Sequence, residues 1–243
     1  MKKTLAIIKK DLKIEMFGFV IILITILGWD LFLFSRMNEN SNGVLLILSL
    51  IPLLVFPCII LRNGYVGMKK EWDEQTIYLV MSLPLKGKWI LFSKFMTAFL
   101  YYILSMIFSL AMSILLFKKD FEYIFNFGYI KQIGILIISF MVFIGVLYYF
   151  IGQTSYLVSK IYIRFTKSIS LVIGIIGFYL VFRFGNLLGK IIFSWVLSKE
   201  MNILLFGNMI SMTISLSFLL GNILVIVGLF FVNVWIFEKC LEV

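Results

Sequence analysis

The sequence predicts an all-α polytopic membrane protein with six transmembrane helices, and three observations support this class. The 243-residue chain is 62% hydrophobic and only 14% charged, with a mean hydropathy of +1.08. Its apolar residues fall in long uninterrupted runs, and most of its lysines and arginines lie between those runs. A water-soluble globule of this size has too little interior to bury that much apolar surface, so the soluble classes are excluded.

The long apolar runs define the transmembrane segments. A helix needs about 20 mostly apolar residues to cross a hydrocarbon core about 30 Å thick. The predicted segments are 17–35, 44–62, 95–117, 131–151, 168–183 and 214–237. The first of them follows a charged segment of 16 residues and lacks a small-residue cleavage site, so no cleavable signal peptide is expected.

The basic residues predict the orientation of these segments. With the N-terminus inside, 15 of the 22 lysines and arginines lie on the cytoplasmic side. Because basic residues accumulate on that side, we expect both termini to be cytoplasmic. The whole chain, 1–243, is expected to form a single transmembrane domain, and its excess positive charge is attributed to the membrane rather than to nucleic acid.

The first sixteen residues form an amphipathic pattern. Leu5, Ile8, Leu12 and Met16 recur at helical spacing, and the lysines lie elsewhere on the helix. This pattern predicts an elbow helix over 1–16 that lies along the inner membrane surface. The alternative is a basic topology signal directly before the first span.

The stretch 184–212 is apolar but does not fit a seventh span. Lys190, Lys199 and Glu200 leave only residues 191–198 uncharged, which is too short to cross a bilayer. We therefore expect one or two short outer helices here, either re-entrant or interfacial, between the fifth and sixth spans.

The segment 69–92, between the second and third spans, carries charged residues of both signs. Acidic residues at its start favour a helix N-terminus. Pro84 disfavours helical geometry at Leu83 and so ends that helix, and Lys86 and Lys88 follow. These features predict a short, rigid, charged helix at the cytoplasmic face.

The pattern of Glu71, Thr76, Ser82, Leu83 and Pro84, followed by basic residues, resembles the signature of type 2 ATP-binding-cassette exporter permeases. Gln75 stands where that family usually has glycine. The resemblance implies that this segment is the coupling helix, held in a cleft of a separate ATPase subunit. The residues it assigns to ATPase coupling are Glu71, Asp73, Glu74, Thr76, Ser82, Leu83, Pro84, Lys86 and Lys88.

The resemblance extends to the layout of elbow helix, six spans and outer re-entrant helices. In general form the chain is similar to small bacterial permeases for lantibiotic immunity or cytolytic-peptide export. The resemblance therefore implies a multi-pass protein of the bacterial cytoplasmic membrane. Its partners would be the ATPase and either a second copy of the chain or a sister permease.

Several classes of chemistry are excluded by residues that the sequence lacks. It contains no histidine, which excludes Ser-His-Asp and Cys-His catalysis and histidine-based zinc sites. Gly87-Lys88 and Gly189-Lys190 lack the upstream glycine and the following Ser or Thr of a P-loop. We therefore expect no catalytic residues, metal or cofactor in this chain, and we expect ATP and Mg²⁺ to bind the partner ATPase.

Three further groups of residues are candidates for contacts. Lys160, Arg164 and Lys167 follow the fourth span and fit either a second ATPase contact or anionic lipid. Small residues at spacing four fit either packing within the chain or a dimer seam and substrate path; they are Ser105, Ser109, Ser113, Thr213, Ser217 and Gly221. Asp30 lies in the outer half of the first span, where it either faces a polar cavity, as part of the same dimer seam or substrate path, or is solvated at the interface.

The expected function is the membrane subunit of an ATP-driven exporter for an amphipathic or lipophilic substrate. Antimicrobial or cytolytic peptides fit best, and lipophilic drugs come next. The alternatives are an ion-coupled secondary transporter, for which only Asp30 is a candidate coupling residue, and a non-transporting membrane scaffold. An intramembrane protease is disfavoured because a single aspartate cannot form a catalytic pair.

Overall fold

Six long α-helices and one short antiparallel β-pair make up the described part of the chain. The computed structural model describes residues 2–36, 45, 48–73, 86–118, 128–162, 168–192, 203–205, 208–210 and 216–241. The elements, in chain order, are α1 (Lys2–Ser35), α2 (Ile51–Asp73), α3 (Gly87–Leu116), α4 (Gly128–Tyr162), α5 (Ser168–Ile192), β1 (Ile203–Leu205), β2 (Asn208–Ile210) and α6 (Leu216–Leu241).

The predicted number of spans is confirmed. Within the described residues, six helices are long and apolar enough to cross a membrane, and they are the six α-helices named above. This is the expected outcome for an apolar chain, because a helix pairs all its backbone polar groups internally and needs no water. The chain is thus a multi-pass, predominantly helical membrane protein.

The N-terminal segment does not form a separate helix. α1 runs without interruption from Lys2 to Ser35, so the predicted break between residues 16 and 17 is absent. Its 34 residues correspond to about 51 Å, which exceeds the hydrocarbon thickness of about 30 Å. No proline interrupts this segment, which is why the charged turns continue directly into the apolar ones.

The stretch 184–212 differs from its prediction of short outer helices. Residues 184–192 continue α5, and residues 203–205 and 208–210 form β1 and β2, with Ile203 opposite Ile210. The charge of Lys190 does not end α5, because its side chain is exposed and a long lysine side chain carries its ammonium away from the apolar surface. The prediction of helices over 203–210 is therefore wrong.

The chain divides into two compact units. The first consists of residues 1–63 and 89–145. In this unit, two tyrosines of α3 form hydrogen bonds to α1 and α4. The hydroxyl of Tyr101 donates to the carbonyl oxygen of Leu12 on α1, and the hydroxyl of Tyr102 donates to the carbonyl oxygen of Met141 on α4 at 2.7 Å. A Cβ on Gly145 would lie 2.6 Å from the Tyr102 ring, so this glycine leaves room for the ring against α4.

The second unit consists of residues 64–88 and 146–243, and within it α5 packs against α6. A Cβ on Gly221 would come within 2.2 Å of the carbonyl oxygen of Gly185 and 2.6 Å of the amide nitrogen of Gly189. Only glycine permits this approach, which is the usual way for helices to associate in lipid. The buried position of Gly221 thus corresponds to packing within the chain.

This contact predicts a specific sensitivity to a single methyl group. Gly221→Ala must push α5 and α6 apart, and we expect it to lower the free energy of unfolding by about 1–3 kcal/mol. Gly228→Ala, on the same helix, meets no atom within 4 Å and should be neutral or slightly stabilising. Denaturation of both variants with sodium dodecyl sulfate in mixed micelles measures the difference. Equal stabilities would contradict the packing described here.

Candidate coupling site and polar residues within the spans

The segment predicted to couple to an ATPase begins at an aromatic cluster. Trp72, in the last turn of α2, contacts Tyr156 of α4 and Phe237 of α6, each with a ring-centroid distance of 5.9 Å. Tyr65 of α2 meets Tyr156 edge to face at 5.3 Å. We call Tyr65, Trp72, Tyr156 and Phe237 the aromatic clamp. Each such pair contributes about 0.5–1.5 kcal/mol beyond the area it buries.

The other end of the same segment meets the same helix. A Cβ on Gly87, the first residue of α3, would lie 3.1 Å from the ring of Phe237 and 3.0 Å from Cγ of Glu238. Phe237 is completely buried between these neighbours. Trp72 and Gly87, one at each end of the segment, therefore meet the same residue of α6.

The predicted coupling residues fall partly within the described chain. Glu71 and Asp73 lie in the last turn of α2, and Asp73 forms an ion pair with Lys69 at 3.8 Å. This pair is largely exposed and contributes little to stability. Lys86 and Lys88 are exposed beside the start of α3. The remaining predicted residues lie outside the described residues: Glu74, Thr76, Ser82, Leu83 and Pro84.

The second predicted ATPase contact is only partly visible. Lys160 is exposed in the last turn of α4, and Arg164 and Lys167 lie outside the described residues. The predicted fourth span ended at residue 151, but α4 continues to Tyr162. Gln153, expected on the cytoplasmic side, is consequently a completely buried residue of a helix.

A buried amide pair between α4 and α6 was not predicted from the sequence. The Nδ2 atom of Asn233 donates to the carbonyl oxygen of Phe150 at 3.3 Å and to Oε1 of Gln153 at 3.2 Å. Both side chains are completely buried. An asparagine inside an apolar run was the available signal, since such a residue must find a partner in lipid.

The small residues of α3 are buried as a stripe. Ser105, Ser109 and Ser113 are all buried, and the hydroxyl of Ser113 donates to the carbonyl oxygen of Ser49 at 3.3 Å. Ser113 is therefore engaged in contacts within the chain. Of the predicted stripe on α6, Thr213 lies outside the described residues, Ser217 lies in the first turn of α6, and Gly221 packs against α5 as described above.

Asp30 is completely buried in α1. Among the described residues, neither of its carboxylate oxygens has a hydrogen-bond partner. Of the two alternatives for Asp30, solvation at the interface therefore does not fit this burial. A carboxylate inside a membrane span is costly and is generally associated with a substrate or ion pathway.

The exposed surface of α5 carries an unexpected row of polar residues. Tyr179, Arg183, Asn186 and Lys190 are all exposed at spacings of four, three and four residues, so they lie on one face. We call them the α5 polar face. The predicted fifth span ended at residue 183, so Asn186 and Lys190 were not expected to continue this row on the same helix.

Comparison with known proteins found no match for this chain, whether among family models, curated proteins or solved structures.

The buried amide pair predicts a measurable coupling between α4 and α6. Gln153→Ala and Asn233→Ala should each destabilise the protein, and a double-mutant cycle should give a coupling energy of about 0.6 kcal/mol, with an upper bound near 1.7 kcal/mol. The measurement is again denaturation in mixed micelles. Strict additivity of the two substitutions would show that the side chains do not interact.

Proposed function

We propose that the chain is the membrane-spanning permease subunit of an ATP-binding-cassette exporter in the bacterial cytoplasmic membrane, with both termini cytoplasmic. A separate P-loop ATPase binds and hydrolyses ATP with Mg²⁺. This chain supplies the path and has no catalytic residue. The proposal rests on the resemblance carried by Glu71, Thr76 and Ser82 to Pro84, and on the way both ends of that segment are anchored.

The anchoring at Phe237 is the observation that carries the proposal. A segment that transmits movement must be fixed to the helices it moves, since a loose loop absorbs displacement. Trp72 at one end and Gly87 at the other both pack on Phe237 of α6. Trp72 also packs on Tyr156 of α4. Displacement of the segment by an ATPase would therefore act directly on α4 and α6.

The α5 polar face supports a partner within the membrane. Lipid tails solvate an exposed row of Arg183, Asn186 and Lys190 poorly, although long basic side chains reach the headgroups. A second permease would cover this row with polar groups. The simplest assembly is a homodimer with two ATPase subunits, and a heterodimer with a sister permease is the alternative.

The proposed substrate is amphipathic or lipophilic and moves out of the cell. The described helices expose mainly large apolar side chains, which suits a molecule that enters from the bilayer. An antimicrobial or cytolytic peptide is the leading candidate, and a lipophilic drug is the second.

Ion-coupled secondary transport is the second candidate function, and the buried Asp30 favours it. The two functions differ in their energy source. Transport in proteoliposomes that requires ATP and a copurified ATPase supports the exporter. Transport driven by an ion gradient in the purified chain alone supports the secondary transporter.

The exporter proposal predicts a stable complex. Affinity purification of the tagged chain from its own cell membranes should also recover a P-loop ATPase in comparable amount, identified by mass spectrometry. Membranes that contain an unrelated tagged protein with six spans provide the control. Recovery of the chain without any ATPase would contradict the proposal.

The aromatic clamp predicts uncoupling by a single substitution. Trp72→Ala removes contacts with Tyr156 and Phe237, and we expect it to reduce the stimulation of ATP hydrolysis by a cationic amphipathic peptide about tenfold. The assay uses the purified complex in lipid nanodiscs.

Trp235→Ala is the matched control for this substitution. Trp235 lies on α6 two residues before Phe237, but it is 61% exposed. Its removal should change the stimulation by less than about twofold, because exposed contacts contribute little. If both tryptophan variants behave alike, the clamp does not transmit movement.

A further inference from the structure

The first unit contains a buried carboxylate whose position follows from two contacts between α1 and α3. Near the middle of each helix, the Tyr101 ring packs on Phe19 with a centroid distance of 4.6 Å. Near the end of each helix, Leu33 and Phe117 belong to one buried apolar cluster. The two helices therefore run in the same direction with a fixed register.

This register brings Asp30 to the serine stripe of α3. Asp30 lies three residues before Leu33, and Ser113 lies four residues before Phe117, so both are one turn below the shared cluster. Residues three apart share a helix face, which places Asp30 on the side of α1 that packs on α3. Ser109 lies one further turn below Ser113 on the same stripe.

A pair of consecutive residues confirms that Asp30 and Ser113 are level. The indole nitrogen of Trp29 donates to the carbonyl oxygen of Leu48 at 3.1 Å, and the hydroxyl of Ser113 donates to that of Ser49 at 3.3 Å. The neighbour of Asp30 and the serine of α3 thus bind adjacent peptide groups. Among the described residues, Asp30 and Ser109 offer oxygen atoms here, and Trp29 and Ser113 donate to carbonyl oxygens.

Two side chains in this region lack partners. Asp30 and Ser109 are both completely buried. Within the described residues, the two carboxylate oxygens of Asp30 and the hydroxyl of Ser109 have no hydrogen-bond partner. Buried polar groups are ordinarily paired, so these atoms indicate a missing ligand. Oxygen donors suit hard cations and ammonium groups.

The side chains available at this site also limit the charge of the molecule that binds there. One carboxylate balances one positive charge, and the described residues contain no group of three or more acidic, cysteine or histidine side chains that could hold a metal ion. We propose that Asp30 and Ser109 form an intramembrane site for a single positive charge, either an alkali metal ion or the ammonium group of an amphipathic molecule. The inference goes beyond the proposed function, because such a site needs no ATPase.

The test uses the full chain, purified and placed in nanodiscs of phosphatidylcholine. Thermal unfolding is followed by tryptophan fluorescence while sodium chloride replaces choline chloride, and separately while octylammonium chloride is added. We expect a saturable rise of the unfolding midpoint with at least one probe, because a ligand that binds only the folded state stabilises it. Saturation with sodium alone assigns the site to a free ion, and saturation with octylammonium alone assigns it to an amine.

Three variants make the outcome decisive. Asp30→Asn keeps the shape of the side chain but removes its charge. We expect this variant to fold in the absence of both probes, and its unfolding midpoint should no longer rise when either probe is added. Ser109→Ala should raise the half-saturating concentration about tenfold, which corresponds to one charge-assisted hydrogen bond. Thr25→Val, at an exposed position of α1 whose hydroxyl donates only to the carbonyl oxygen of Ile21, should respond like the unmodified chain.

The proposal is overturned if the unmodified chain responds to neither probe, or if Asp30→Asn responds like the unmodified chain. Should Asp30→Asn fail to fold, an unchanged half-saturating concentration for Ser109→Ala overturns it equally. Because the sample contains no ATPase, none of these results depends on the exporter proposal.

Discussion

The hydrocarbon core of a bilayer offers no water to pair with buried polar groups, and the rest of this structure depends on that constraint. A buried polar group that the protein leaves unpaired is then energetically costly. Helices pair their own backbone groups, and the polar side chains of the spans donate to carbonyl oxygens of neighbouring segments. Tyr102 reaches Met141, Ser113 reaches Ser49 and Asn233 reaches Phe150 in this way. These long-range hydrogen bonds fix the register between helices, which apolar contacts alone leave free to slide.

Glycines lie where those polar side chains need space. Gly145 of α4 leaves room for the ring of Tyr102. The Tyr102 hydroxyl donates to the carbonyl oxygen of Met141, which lies one turn before Gly145 on α4. Gly185 likewise leaves room for Asn222, since a Cβ there would lie 2.3 Å from its side-chain oxygen. Lipid gives helices little hydrophobic reason to associate, so close packing and polar pairing must supply the stability together.

The spans could be predicted from the sequence because hydropathy is a local property, but their ends and partners could not. The predicted ends of the fourth and fifth spans, residues 151 and 183, both lie inside longer helices. Gln153 is consequently buried beside Asn233, and Lys190 is exposed on α5. Asp30 was recognised as unusual, whereas its complete burial is a property of the folded chain that no local pattern reports. The aromatic clamp had no signal at all, because aromatic residues are 17% of this chain.

The two contacts between α4 and α6 reinforce each other because they occupy successive turns. Gln153 and Tyr156 are three residues apart on α4, and Asn233 and Phe237 are four residues apart on α6. One turn joins the helices by a buried amide pair and the next by the aromatic clamp through Trp72. Two different interactions at adjacent levels resist both sliding and rotation. A force applied at Trp72 would therefore move α4 and α6 together as one rigid unit, not as two independent helices.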